Sequence, residues 1–141
     1  MSAFDRDLLA AKSAAVERHL SRLVSRLPPR ASDLQPSSDA SDTVVLHLWQ
    51  AVQLVLDLAF AACLHLRLPT PATYADAFRL LAGEGVIDEA LAERLARAAG
   101  FRKLVAHACE ALDMAAVHAA ALRGPADLRA FLGSVARITA P

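Results

Sequence analysis

Val44-Val45-Leu46-His47-Leu48-Trp49-Gln50-Ala51-Val52-Gln53-Leu54-Val55-Leu56-Asp57-Leu58-Ala59-Phe60-Ala61-Ala62-Cys63-Leu64-His65-Leu66 is the stretch on which the fold turns. It is long enough to span a bilayer, yet it carries His47, Gln50, Gln53, Asp57 and His65. An Asp near the centre of a span costs roughly 2.5–3.5 kcal/mol on insertion. At about 100° per residue, Gln50, Gln53 and Asp57 fall in one narrow polar stripe. A helix that is apolar over most of its circumference, with one wet seam, is a core helix buried on two sides rather than a membrane span.

The rest of the chain agrees with a helical core. Its 141 residues suit one domain, 1–141, and are too few for two. Hydrophobic residues make up 55%, aromatics only 5%, and the mean hydropathy is +0.34. Ala and Leu lead with 32 and 23 residues, and both are strong helix formers. Fifteen Lys and Arg balance fifteen Asp and Glu, for a formal net charge of zero. A disordered chain would be less apolar and carry a charge excess, and a general nucleic-acid coat would be strongly basic. A β-rich domain would need more Val, Ile, Thr and aromatics. The expectation is an all-α, antiparallel up-down bundle of four to five helices.

Outward from the central stretch, breaker residues divide the chain. A first helix is expected from about Phe4 to Leu27, ended by Pro28-Pro29. Arg30 to Thr43 is Ser-, Asp- and Pro-rich and reads as a loop over 30–43, longer than a bundle connection needs. The second helix then starts at Asp42 or Thr43 as cap and runs to about Arg67. Pro69-Thr70-Pro71 precedes a third helix from Thr73 to Leu81, which ends at Gly83-Glu84-Gly85. Asp88 is a good cap for the longest helical pattern, Asp88 to Leu122, with Gly100 inside it marking a kink or a close backbone contact. Gly124-Pro125 closes that pattern, and a last helix covers Pro125 to about Val135. The second helix is apolar over more surface than a four-helix core can cover, which points to a dimer.

Polar chemistry gathers in Gly100-Phe101-Arg102-Lys103-Leu104-Val105-Ala106-His107-Ala108-Cys109-Glu110-Ala111-Leu112-Asp113. On a helix wheel Phe101, Leu104, Ala108, Leu112 and Ala115 face the core, while Arg102, Lys103, His107, Glu110 and Asp113 occupy the other half. Arg102 can clamp a phosphate with its fork, and His107 titrates near neutrality as a general acid or base must. The two lie about 140° apart and cannot share a tight site on one straight helix. A kink at Gly100 or a second copy of the helix would bring them together. A solvated surface is the ordinary meaning of such a charged face. His118, eleven residues beyond His107, would extend the same face if the helix continued to it. Arg18, Arg22 and Arg26 form a basic stripe on the first helix, either a solvated face or a phosphate contact. His19, His47 and His65 have no metal-ligand spacing, so no metal is expected. Cys63 and Cys109 stand alone, which fits a reducing, cytoplasmic setting, and Met1 to Asp7 lacks the apolar core of a secretory signal.

The string Gly100-Phe101-Arg102-x-x-Val105-x-His107, with Asp113 beyond it, resembles the signature of the HepT-like branch of the HEPN superfamily. The resemblance takes in His47-Leu48-Trp49-Gln50, Pro71 to Leu81 with Tyr74 and Phe78, and the Gly85-Val86-Ile87-Asp88 turn. It implies a helical bundle that forms a homodimer, in which the two Arg-x4-His elements meet in a composite cleft. It further implies a toxin of a toxin–antitoxin pair whose partner is a minimal nucleotidyltransferase antitoxin. The implied activity is metal-independent cleavage of RNA, tRNA included, with no cofactor and no membrane partner. Arg102 would hold the scissile phosphate and His107 would serve as general base or acid for attack by the ribose 2′-hydroxyl, leaving a cyclic phosphate.

Two positions depart from the family pattern. Lys103 stands where members commonly have Asn, and an ammonium there can still contact phosphate. Cys109 stands where the family carries the tyrosine that its partner adenylylates, so that modification is closed to this position. Tyr74 lies on another helix and is assigned to packing. The departures motivate an alternative, a non-catalytic dimeric binding partner of a nucleotidyltransferase. A small-ligand-binding bundle without enzymatic role is a third.

Overall fold

The computed structural model describes residues 6–108 and 112–139, the side chains of 103, 104 and 106–108 excepted. Among these residues there are five α-helices and no strand, in the order α1 (Arg6–Arg26), α2 (Asp39–His65), α3 (Tyr74–Gly83), α4 (Glu89–Ala108) and α5 (Met114–Ile138). They form the expected all-α, antiparallel up-down bundle.

Helix α2 is its axis. By length and composition it could cross a membrane, but Val44, Leu48, Val52, Val55, Leu56, Ala59 and Cys63 are buried in the core and it packs against every other helix. The helix begins at Asp39, a few residues before the expected cap. Ser38 is the cap: its Oγ accepts from the Ser41 N–H at 3.1 Å, and Ser41 Oγ accepts from the Ser38 N–H at 3.0 Å. This reciprocal box satisfies two otherwise orphaned donors, and Asp39 and Asp42 in the first turn offset the helix dipole.

The 30–43 segment is accordingly shorter as a loop than the sequence suggests. A 3-10 turn spans Ala31–Asp33, and Leu34 beyond it is 2% exposed, anchored in the core. Thr73 caps α3 by accepting from the Asp76 N–H at 3.1 Å, and Asp88 accepts from the Leu91 N–H at 2.7 Å at the start of α4.

The largest departure concerns the expected 88–122 helix. It is two helices: α4 ends at Ala108, and Asp113 caps α5 by accepting from the Ala115 N–H at 2.9 Å. Conversely, α5 does not stop at Gly124-Pro125 but carries Pro125 in its interior. Proline there forgoes one hydrogen bond, at a usual cost of about 3 kcal/mol. What offsets it is continuous burial: Val117, Ala121, Pro125, Leu128, Leu132 and Val135 recur at three and four on one stripe. Phe131 on α5 meets Phe78 on α3 edge-on, with centroids 5.6 Å apart and both rings fully buried. Exposed ion pairs tie Arg79 to Glu93 at 3.0 Å, Arg94 to Asp127 at 2.9 Å and Arg129 to Glu17 at 2.8 Å, each worth at most about 1 kcal/mol. Gly100 makes no close approach: an added Cβ would meet nothing within 4 Å among the described residues.

Candidate functional site

The seam on α2 is where a guanidinium docks. Arg102, half-buried on α4, donates through Nε to Gln53 Oε1, and Gln53 Nε2 in turn donates to Asp57 Oδ1 at 2.9 Å. The Arg102 Cζ also lies 5.5 Å from the centroid of the Tyr74 ring on α3, a cation–π distance. That ring is braced edge-on by Phe60 of α2, centroid to centroid 5.1 Å. Three helices therefore fix one arginine, and an ion pair between Arg79 and Glu93 separately joins α3 to α4.

Among the described residues the terminal nitrogens of Arg102 make no hydrogen bond. Only Nε is used by Gln53, and among the described residues Arg102 forms no ion pair with a carboxylate. A half-buried guanidinium held by a neutral amide and a ring face has the two-pronged donor geometry that suits a phosphate.

The Ribonuclease HepT-like family profile matches residues 16–135. The chain belongs to the HepT-like family.

Solved structures agree with that membership at the level of the fold. A toxin–antitoxin complex with AMP-PNP superposes at a TM-score of 0.83 and 22% identity, covering 92% of this chain and 98% of that one. A tri-AMPylated Shewanella oneidensis HEPN toxin in complex with MNT antitoxin gives 0.82 at 22% identity, over 92% and 97%. YutE, a cytosolic protein of unknown function from Bacillus subtilis, gives 0.77 at 16% identity, over 98% and 92%. No curated protein sequence matches the chain.

The other sequence-predicted residues of this HepT-like chain fall in three places. Positions 103 and 107 lie on α4, which stays helical through Ala108, so positions 102 and 107 remain about 140° apart around one axis. The side chains of Lys103 and His107, and all of Cys109, lie outside the described residues. Arg18, Arg22 and Arg26 are exposed on α1, which packs on α2 and α5 and not on the α4 that carries Arg102. His118 does not extend the helix face of position 107, because α4 and α5 are separate helices. It sits on α5, 6% exposed, and its Nε2 donates to the Pro28 carbonyl at 2.8 Å, pinning the end of α1.

Gln53, Asp57 and Tyr74 are the residues the sequence reading missed as parts of the site. Gln53 and Asp57 were visible as a polar stripe on an apolar helix, but nothing local says that Arg102, 49 residues away, fills it. Tyr74, assigned to packing, does pack on Phe60 and at the same time faces a cation. Cys63 is inert: it is 1% exposed, its thiol points at the Ala77 carbonyl at 3.6 Å, and burial pushes its pKa up.

Proposed function

We propose that this HepT-like chain is the endoribonuclease toxin of a toxin–antitoxin pair, restrained in the cytoplasm by a minimal nucleotidyltransferase and cutting RNA without a metal between two copies of itself. The observation that carries the reading is the Arg102 guanidinium, oriented by Gln53 and Tyr74 with no carboxylate to neutralise it among the described residues. Family membership supplies the reaction class. The toxin–antitoxin complexes that share the fold supply the partner class.

In this scheme Arg102 binds the non-bridging oxygens of the scissile phosphate and offsets the charge that builds on them. His107 takes the proton of the neighbouring 2′-hydroxyl, whose oxygen attacks phosphorus. The 5′-oxygen leaves and is protonated, giving a 2′,3′-cyclic phosphate and a free 5′-hydroxyl. Lys103 adds a second cation near the phosphate.

A second copy answers the 140° separation of positions 102 and 107. Leu46 and Leu64 are 45% and 68% exposed, and by helix geometry they lie within about 40° of Gln50, Gln53 and Asp57 around α2. Apolar side chains flanking the Arg102 seam are suited to burial against a second protomer, which would set two Arg102 groups in one cleft.

The test is cleavage of tRNA and mRNA by the purified protein, with His107→Ala and Arg102→Ala beside it. Each variant is expected to lose roughly 100-fold or more. Equal cleavage by His107→Ala overturns the mechanism. An intact dimer that leaves RNA uncut yet co-purifies with a nucleotidyltransferase establishes the binding-partner alternative, which the Lys103 and Cys109 departures favour.

A further inference from the structure

A second cluster of nitrogen bases lies on the opposite flank of α2. His19 of α1 and His47 of α2 meet with their Nδ1 atoms 2.9 Å apart and their ring centroids 5.2 Å apart. One ring must donate and the other accept across that contact. Arg22 stands close enough to act on both rings, and Arg18 acts on His19. Among the described residues no carboxylate forms a hydrogen bond or an ion pair with either ring. Glu17, next to Arg18 in sequence, is turned away to Arg129 of α5 at 2.8 Å, and Asp57 of α2 is engaged by Gln53. The cluster is thus a concentration of positive charge with no internal counter-ion among the described residues.

The chemistry of the pair favours an anion. Adding one proton to the two rings keeps the Nδ1–H···Nδ1 hydrogen bond and leaves each ring with an Nε2–H donor. The singly protonated pair then offers two N–H groups and a unit charge beside the five-donor fork of Arg22. Around α2, position 47 is about 120° from Gln53 and roughly 9 Å along the axis, so this is not the Arg102 site.

We infer that Arg18, His19 and Arg22 of α1 and His47 of α2 form a phosphate-binding site, separate from Arg102, that takes a second phosphate of the RNA chain. The identity of the phosphate donor rests on the ribonuclease reading, whereas the anion chemistry of the site does not. An anion bound there favours the protonated pair, so binding takes up a proton and tightens as pH falls.

The test has two arms. In the first, inorganic phosphate is titrated against the histidine ring resonances of the full chain at pH 6 and pH 8. Shifts of the His19 and His47 signals, larger at pH 6, are expected. In the second, binding of a 2′-O-methylated single-stranded oligoribonucleotide is followed by anisotropy. Wild-type binding should be up to about tenfold tighter at pH 6 than at pH 8, and H19Q/H47Q should remove most of that difference. R22Q, an exposed change that cannot unfold the core, should lower the log–log salt slope by about 0.7 to 1. Unmoved ring resonances, together with wild-type oligonucleotide binding by both variants, would overturn the inference. Ring shifts with phosphate in a protein that neither binds nor cuts RNA would keep the anion site and remove the ribonuclease reading.

Discussion

Arg102 on α4 and Gln53 on α2 are joined by a hydrogen bond from the guanidinium Nε to the amide oxygen. The bond orients the guanidinium without neutralising it. Replacing Gln53 by Leu keeps the volume and removes the acceptor. On the proposed ribonuclease reading, RNA cleavage is expected to fall about tenfold, one hydrogen bond's worth of orientation, while the urea midpoint moves little because the seam is only half-buried. Tyr74→Phe should retain cleavage and Tyr74→Ala should reduce it, since the ring face rather than the hydroxyl meets Arg102. Cleavage rates for the three variants, set against their urea curves, check this.

His118 is a structural anchor. Its ring is buried and bonded to the Pro28 carbonyl, so His118→Leu leaves a carbonyl without its donor. A loss of about 1–3 kcal/mol in unfolding free energy is expected, with no direct effect on chemistry in the protein that remains folded. Chemical denaturation paired with an activity assay separates the two.

The Phe78–Phe131 contact joins α3 to α5 where both rings are wholly buried. Phe131→Ala should cost about 3–5 kcal/mol, a large part of the 5–15 kcal/mol typical of a whole domain. Phe131→Leu should cost distinctly less. Urea midpoints of the two variants measure the difference.

The His19–His47 pair carries a pH signature. Burial first, then the neighbouring positive charges, hold both imidazoles below their usual value. Below about 6.5 the unfolded rings take up protons that the folded rings resist. Stability from this pair is therefore fully present above that pH and declines as pH falls towards the lowered folded values. In a phosphate-free buffer the wild type should lose more of its melting temperature between pH 7.5 and pH 5 than H19Q/H47Q does. Equal losses would contradict it.

The sequence made the bundle legible because its periodic signals are local. Asp88 as a cap, the α3 ending at Gly83 and the core role of α2 all follow from neighbours within a turn or two. It misplaced the α4–α5 junction because two local rules competed. Proline at 125 is a strong stop signal, but the apolar stripe running through it is longer and is buried throughout. Ala-rich sequence gives no such warning where α4 does end, and only Asp113, readable as a cap, marks the place. Arg102 was legible as a motif residue, whereas its supports were not. Which helix faces a polar stripe is a long-range fact that no window of sequence contains.

Cys63, sealed beneath α3 with its thiol pushed towards the neutral form, has a practical consequence. The chain has only two cysteines, so a thiol-directed fluorophore or spin label taken up by the native protein reports on position 109. Whether such a label is taken up thus tests position 109 alone, two residues from His107 in the sequence, with no engineered cysteine.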